Sequence, residues 1–148
     1  MAEERYRHVV TSHLFLVKDG RILLLRRFNT GYEDGNYSVV AGHVEEGETA
    51  RETIAREAEE EAGIEIDVGN LEVLHVMHRK GKPDERIDFF MTAKEWSGEP
   101  EIKEPGKCDD LRWFGLNELP PNVIPYIRQA INCFLEKKIY SEFGWEDR

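Results

Sequence analysis

One helix in this chain has both of its ends written into the residues, and the rest of the fold must pack around it. Thr49-x-x-Glu52 has the form of a capping box, in which the threonine hydroxyl and the glutamate carboxylate each satisfy a backbone amide of the first turn. Gly63 follows Ala62 where a left-handed residue closes a helix, so the spacing predicts a helix from Thr49 to Ala62. Its flanks read as strands. Residues 7–27 contain two apolar runs, HVVTSHLFLV and RILLLRRF, around Lys18-Asp19-Gly20, and Asp-Gly is a strong hairpin signal. A loop rich in Gly, Asn and Asp, FNTGYEDGN, then leads to a short strand, YSVVAG.

Beyond the helix, LEVLHVMH and RIDFFMTAKEW are two more strands, joined by the polar loop RKGKPDE, and LRWFGL is a further one. After Pro120-Pro121, Ile124, Ile127, Ile131, Phe134 and Leu135 recur at helical spacing and predict an amphipathic helix from about Asn122 to Tyr140. A mixed sheet covered by two helices is an α+β or α/β sandwich. With 148 residues, 40% of them hydrophobic, the chain can bury one core but not two, so residues 1–148 are expected to form one domain.

The formal net charge of −10, with no basic stripe, argues against stable nucleic-acid binding. The longest apolar runs are only four or five residues, so no membrane span is expected and the cytoplasm is the expected compartment. Cys108 and Cys133 lack CxxC spacing and are expected to be reduced thiols. An acidic protein can still hold a phosphorylated small molecule when divalent cations stand between the two, and that requires clustered carboxylates.

The capped helix supplies such a cluster. Glu57, Glu60 and Glu61 are related by i, i+3 and i+4, which confines them to an arc of roughly 100°. Like charges so placed repel by a few tenths of a kcal/mol per pair, and a multivalent cation reverses that sign. The same residues are compatible with a plain solvated acidic face, and Arg56 with a simple ion pair to Glu52 one turn earlier.

The surrounding pattern separates these readings. Gly42, Glu48, Arg56, Glu57, Glu60, Glu61, Gly63 and Ile64 fall on the fixed positions of G-x5-E-x7-R-E-U-x-E-E-x-G-U, where U is bulky and aliphatic. This segment resembles the Nudix box, and its one departure is Ala58 at the first U. The resemblance implies a Nudix-type α/β/α sandwich with a mixed central sheet, and a hydrolase of a phosphoanhydride bond in a nucleoside diphosphate derivative. It implies Mg2+, or Mn2+, held by Glu57, Glu60 and Glu61 with help from the Gly42 carbonyl, while Glu48 and Arg56 keep loop and helix in register.

A second segment, WSGEPEIKE from Trp96 to Glu104, resembles the W-x-G-E-P-x-x-K-E run of MutT-type members. That likeness puts Glu104 at the metal site as candidate general base, beside Glu57, Glu60 and Arg56 as the residues expected to carry catalysis; a charged loop residue is the alternative. Arg26 and Arg27 end a strand before the phosphate region; adjacent strand residues face opposite ways, and Arg27 is preferred for substrate. Arg86 is a candidate to contact phosphate or stack on a base, with a plain surface arginine as the alternative, and His43 is a candidate to hydrogen-bond phosphate. His75 and His78, three apart on a strand, cannot chelate one metal and read as structural or pocket-lining. Asn122 resembles an asparagine that selects the base in MutT-type enzymes, and it is also a good helix N-cap. The implied substrate is a small nucleotide, first a nucleoside triphosphate cleaved to monophosphate and pyrophosphate. Nucleotide sugars, ADP-ribose, dinucleoside polyphosphates or a non-catalytic nucleotide-binding role are the alternatives.

Overall fold

A computed structural model describes residues 3–146. In chain order it contains β1 (Val9–Leu14), β2 (Val17–Lys18), β3 (Arg21–Arg27), β4 (Tyr37–Ser38), β5 (Ala41–His43), α1 (Ala50–Ala62), a 3₁₀ turn (Val68–Asn70), β6 (Leu71–Lys80), β7 (Glu85–Ala93), β8 (Cys108–Gly115), α2 (Pro125–Leu135) and β9 (Tyr140–Phe143). A mixed five-stranded sheet runs β5-β1-β7-β6-β9, with β1 parallel to β7 and β9 parallel to β6. A second sheet centres on β3, which pairs with β2, β4 and β8.

The strands alternate between two cores. Leu14, Leu23, Leu25 and Met91 pack with Ile54, Ala58 and Ala62 of α1, while Phe15, Ile22, Leu24 and Phe90 pack with Ile127, Ala130 and Ile131 of α2. Successive strand residues point to opposite faces, so this division places the two helices on opposite sides of the sheets, as a mixed α+β sandwich requires. The small Ala58, where the box usually has a bulky residue, is completely buried between α1 and the strands.

Two segments read as single strands are each divided. Residues 8–17 separate at Phe15-Leu16 into β1 and β2, and residues 37–42 separate at Val39-Val40 into β4 and β5. In both cases the chain passes from one sheet to the other. The backbone groups at the crossing remain paired: the Leu14 amide donates to Val40 O at 2.8 Å, and that of Phe15 to Met91 O at 2.7 Å. Periodicity alone cannot reveal such a transfer, because all four crossing residues are apolar and buried.

The second helix is shorter than the apolar spacing predicts. It starts at Pro125 and ends at Leu135, and Lys137 adopts a positive φ of 60° that turns the chain back. Residues 140–143 then form β9 beside β6, a strand that starts where the predicted helix was to end. Asn122 does not cap α2. The N-cap is Ile124, with no side-chain cap bond, and the Asn122 side-chain amide donates to Gly35 O at 2.7 Å. Pro125 at the first helical position removes one of the amides that a cap would serve. Among the described residues, no helix is long and apolar enough to cross a membrane. Both cysteines are buried and free.

Candidate active site

The helix that carries the glutamates is held as its sequence requires. Thr49 Oγ1 accepts from the Glu52 amide at 3.1 Å, Glu52 Oε1 accepts from the Thr49 amide at 2.9 Å, and Gly63 closes the helix at φ 69°. Because the Glu52 carboxylate is engaged in the capping box, the simple Glu52–Arg56 ion pair does not form. Arg56 instead reaches the loop before the helix: Nε and Nη2 donate to Glu48 at 2.7 and 3.0 Å. Thr53 Oγ1 donates to the same carboxylate at 2.8 Å. These bonds, Arg56 first, hold the Glu48 carboxyl down at about 2.

Arg56 also divides the acidic patch. Its Nη1 donates to Glu57 Oε1 at 2.6 Å and lies 3.4 Å from Glu60 Oε2. Glu60 is exposed, with 54% of its side chain accessible, and does not line the adjoining cleft. Glu57, Glu61 and Glu104 do, together with Arg27, Ala41 and Lys107, around a volume of about 370 Å³.

The route by which Glu104 arrives there is tertiary. Helix ends leave carbonyls unpaired, and the segment 97–103 supplies donors to them. The Glu101 amide donates to Ala62 O at 3.0 Å and the Lys103 amide approaches Glu61 O at 3.4 Å. Glu65 and Ser97 exchange backbone bonds at 2.9 and 3.0 Å just beyond the helix end. Gly98 passes so close that a Cβ there would stand 3.3 Å from Gly63 O. Wrapping the end of α1 in this way delivers Glu104 to the cleft that Glu57 and Glu61 line, with Lys107 Nζ 3.9 Å from its carboxylate.

The cleft disfavours negative charge in the absence of a counterion. Glu61 is raised far above the usual carboxylate range, first by burial, then by its contact with Glu57 and by the charges of Glu57 and Glu104. The Ala41 amide bond opposes that shift. Glu61 Oε2 is buried and has no hydrogen-bond partner among the described residues. Across from it, a Cβ on Gly42 would lie 2.5 Å from Glu57 Cδ, so only glycine leaves this carboxylate its place. Among the described residues, no three His, Cys, Asp or Glu side chains already close on one point as a metal cage. An orphaned buried carboxylate oxygen beside two further carboxylates nevertheless fits a hard divalent cation, which takes oxygen ligands and keeps some of its waters.

A second cavity of about 370 Å³ adjoins the cleft and shares Arg27 and Ala41 with it. Arg27 donates to Tyr32 O and Thr30 Oγ1, whereas Arg26 turns away to Asp109 at 2.7 Å. Arg86 and His43 stand on the wall of this second cavity, 3.2 Å apart, and Arg86 is also paired with Asp84. Asn122 lies outside the lining of both. His75 is structural, with Nδ1 2.8 Å from Lys138 O and Nε2 2.7 Å from Ser141 Oγ; His78 packs on His8 and Trp145. A larger groove of about 700 Å³ lies between α2 and β9, away from Glu57, Glu61 and Glu104.

Several lining residues are absent from the sequence reading. Thr11, His13, Arg79 and Tyr126 form the floor of the second cavity. There Arg79 pairs with buried Asp88 at 2.6 Å and stacks 3.7 Å from the Tyr126 ring, and the His13 Nε2 is 3.0 Å from Tyr126 Oη. Burial lowers His13 to about 4. The only signal for them in the sequence was the polar pair Thr11 and His13 within an apolar strand; Arg79 opens the polar run RKGKPDE and Tyr126 falls in the second helical segment.

A model of the NUDIX domain matches residues 6–134. Among curated proteins, the chain is 29% identical over 138 residues to an NAD-capped RNA hydrolase NudC of Stutzerimonas stutzeri, covering 92% of this chain and 48% of that protein. It is 33% identical over 117 residues to the NudC of Pseudomonas aeruginosa, covering 79% of this chain and 40% of the other. The chain thus spans about half or less of the length of these relatives. Among solved structures, a MutT NUDIX hydrolase from Burkholderia pseudomallei superposes with a TM-score of 0.79 at 29% identity, over 86% of this chain and 98% of that one. A MutT protein from Methanosarcina mazei superposes at 0.76 with 17% identity, over 91% and 98%, a likeness of fold.

Proposed function

Since the chain belongs to the Nudix family of hydrolases, we propose that it cleaves a phosphoanhydride bond in a nucleoside diphosphate derivative, with a divalent cation, Mg2+ or Mn2+, held in the carboxylate cleft. The observation that carries this reading is the meeting of Glu57, Glu61 and Glu104 on one cleft that also contains Arg27. Glu57 and Glu61 would hold the cation, and Glu60 and the Gly42 carbonyl are the further ligands we propose for it. The cation would supply neutralisation of charge on the phosphoryl oxygens.

The protein groups have distinct tasks. Arg56 fixes the Glu57 carboxylate through a 2.6 Å bond while Glu48 fixes Arg56, so the ligand geometry is set before substrate arrives. Arg27, whose guanidinium bonds only neutral acceptors, is available to a phosphate. Glu104, 41% accessible and lining the cleft, takes a proton from the attacking water. The water oxygen bonds to phosphorus as the bridging P–O bond breaks, and the bridging oxygen leaves with its electron pair. The first substrate to test is a nucleoside triphosphate, giving monophosphate and pyrophosphate. The relatives named for NAD-capped RNA favour a dinucleotide pyrophosphate as a second.

A panel of nucleoside triphosphates, nucleotide sugars, ADP-ribose and NAD, each with Mg2+ in 18O-labelled water, tests the proposal. Label entering the monophosphate or pyrophosphate marks the phosphorus attacked. Orthophosphate as the sole initial product from every triphosphate, with no dinucleotide turned over, would refute it.

A further inference from the structure

A pair of histidines with no part in the proposed reaction meets on the face of the five-stranded sheet opposite the second cavity. Arg79 and Arg86 line that cavity, so their strand neighbours His78 and Glu85 point to the other face. The strand order β1-β7-β6 gathers them there: Val9 of β1 lies beside Arg86, and Glu85 lies beside Lys80 of β6. His8, just before β1, thereby meets a partner 70 residues away. Its Nε2 is 3.0 Å from His78 Nε2 and 3.7 Å from Glu85 Oε1. None of the three lines the carboxylate cleft or the second cavity.

These separations are those of ligands around a metal ion. With bonds of about 2.0–2.1 Å, two imidazole nitrogens at an angle of about 95–110° stand about 3.0–3.4 Å apart, and a carboxylate oxygen stands at a similar distance from either. The nitrogen pair already spans such an edge, and the carboxylate must close by about 0.4 Å to complete a face. A neutral imidazole pair sharing one proton also fits a 3.0 Å gap, but it offers nothing to Glu85 Oε1; a cation engages all three electron pairs. Lys80 Nζ holds the other Glu85 oxygen at 3.2 Å and leaves Oε1 to His8. Aromatic rings brace both imidazoles: Tyr6 stands edge-on to His8 at 5.2 Å, and Trp145 packs on His78 at 4.7 Å while its Nε1 donates to His78 O at 2.9 Å. The His8 and Glu85 side chains are 30% and 23% accessible, so an ion can enter and keep a water. Two nitrogens and one oxygen select a transition metal such as zinc over magnesium, which wants oxygen alone.

We propose that His8, His78 and Glu85 bind Zn2+, or a transition-metal ion of like chemistry, at a site separate from the carboxylate cleft. The ion takes the place of the shared proton, so both Nε2 atoms bond to it and both rings carry their proton on Nδ1. It fastens the residues before β1 to the end of the β6–β7 hairpin, and its role is structural.

The test titrates the full chain with Zn2+ by calorimetry in excess Mg2+ and follows the imidazole nitrogens by long-range 1H–15N NMR. The wild type should bind Zn2+ with a shift of the Nε2 resonances of both His8 and His78. His8→Gln, at an exposed position that the fold tolerates, and His78→Gln should each weaken that binding about tenfold or more, at least the cost of losing a group that merely supports a ligand. The cleft around Glu57 and Glu61 takes divalent ions on the reading proposed above, so the titration is repeated on Glu61→Gln. Zinc binding that persists in Glu61→Gln and falls in His8→Gln supports the site. No Zn2+ binding, binding that vanishes in Glu61→Gln, binding that survives both histidine substitutions, or Nε2 resonances that stay unmoved at saturating Zn2+ would each overturn it.

Discussion

Gly42→Ala separates the assembly of the cleft from the stability of the fold. The added Cβ would stand 2.5 Å from Glu57 Cδ, 2.6 Å from Cγ and 2.7 Å from Oε1, so the glutamate must move by about an ångström to restore van der Waals spacing. The atoms displaced belong to a side chain, not to backbone, and the main loss in stability is the 2.6 Å bond from Arg56 to Glu57 Oε1. Both partners are partly accessible, at 28% and 16%. The expected destabilisation is therefore about 1–2 kcal/mol, at the low end of overpacking, or about 3–8 °C in Tm. The expected loss in activity is larger, about 10²-fold in kcat, because misplacing a catalytic group by an ångström costs that much without unfolding anything. Thermal melts and steady-state kinetics on the best substrate of the panel, both with Mg2+, measure the two effects. Turnover near wild type would refute the claim that glycine is required to seat Glu57. A loss of activity matched by the unfolded fraction at assay temperature would show that the residue serves the fold alone.

Glu104→Gln should lower kcat by about 10²-fold or more while changing KM little, since a base is needed in the transition state; a change confined to KM would make it a binding residue. Glu61→Gln should raise the Tm of the metal-free protein at neutral pH, because the ionised form of Glu61 is disfavoured by burial and by Glu57 and Glu104. The same variant should forfeit much of the stabilisation that excess Mg2+ gives the wild type, about 3 kcal/mol at a hundred times the Kd, and an unchanged Mg2+ increment would contradict its role as ligand. His13 is depressed to about 4 from 6.5, chiefly by burial and with Arg79 opposing protonation against the pull of Asp88. The unfolded chain binds that proton first, so the contribution is complete above pH 6.5 and is lost as pH falls toward 4, by about 3 kcal/mol at most. Urea unfolding across that window checks the slope, and an imidazole titration by NMR with a midpoint near 6.5 would contradict it.

The parts of the fold that rest on local chemistry are legible in the residues alone. Thr49, Glu52 and Gly63 define α1 because capping groups act within one turn of the helix they close. Asp19-Gly20 defines the first hairpin because only a few residues tolerate two consecutive positive φ angles, here 53° and 72°. The fixed spacing of Glu48, Arg56 and Glu57 likewise carried the family resemblance. Tertiary structure decided what depends on neighbours remote in the chain. Glu60 lies outside the cleft, 3.4 Å from Arg56, and Arg56 is drawn away from Glu52 by Glu48. Glu104 reaches Glu61 because residues 97–103 answer the unpaired carbonyls at the end of α1. The crossings at Phe15-Leu16 and Val39-Val40 are invisible in a period of two when both sides of the strand are buried. The strand at 140–143, YSEF, carries no strong strand pattern of its own, and only the open edge of β6 gives those residues a partner. The second cavity is the extreme case: Thr11, Lys82, Arg86 and Tyr126 share no motif, and it is the packing of β1, β7, α2 and the loop between β6 and β7 that brings them to one space.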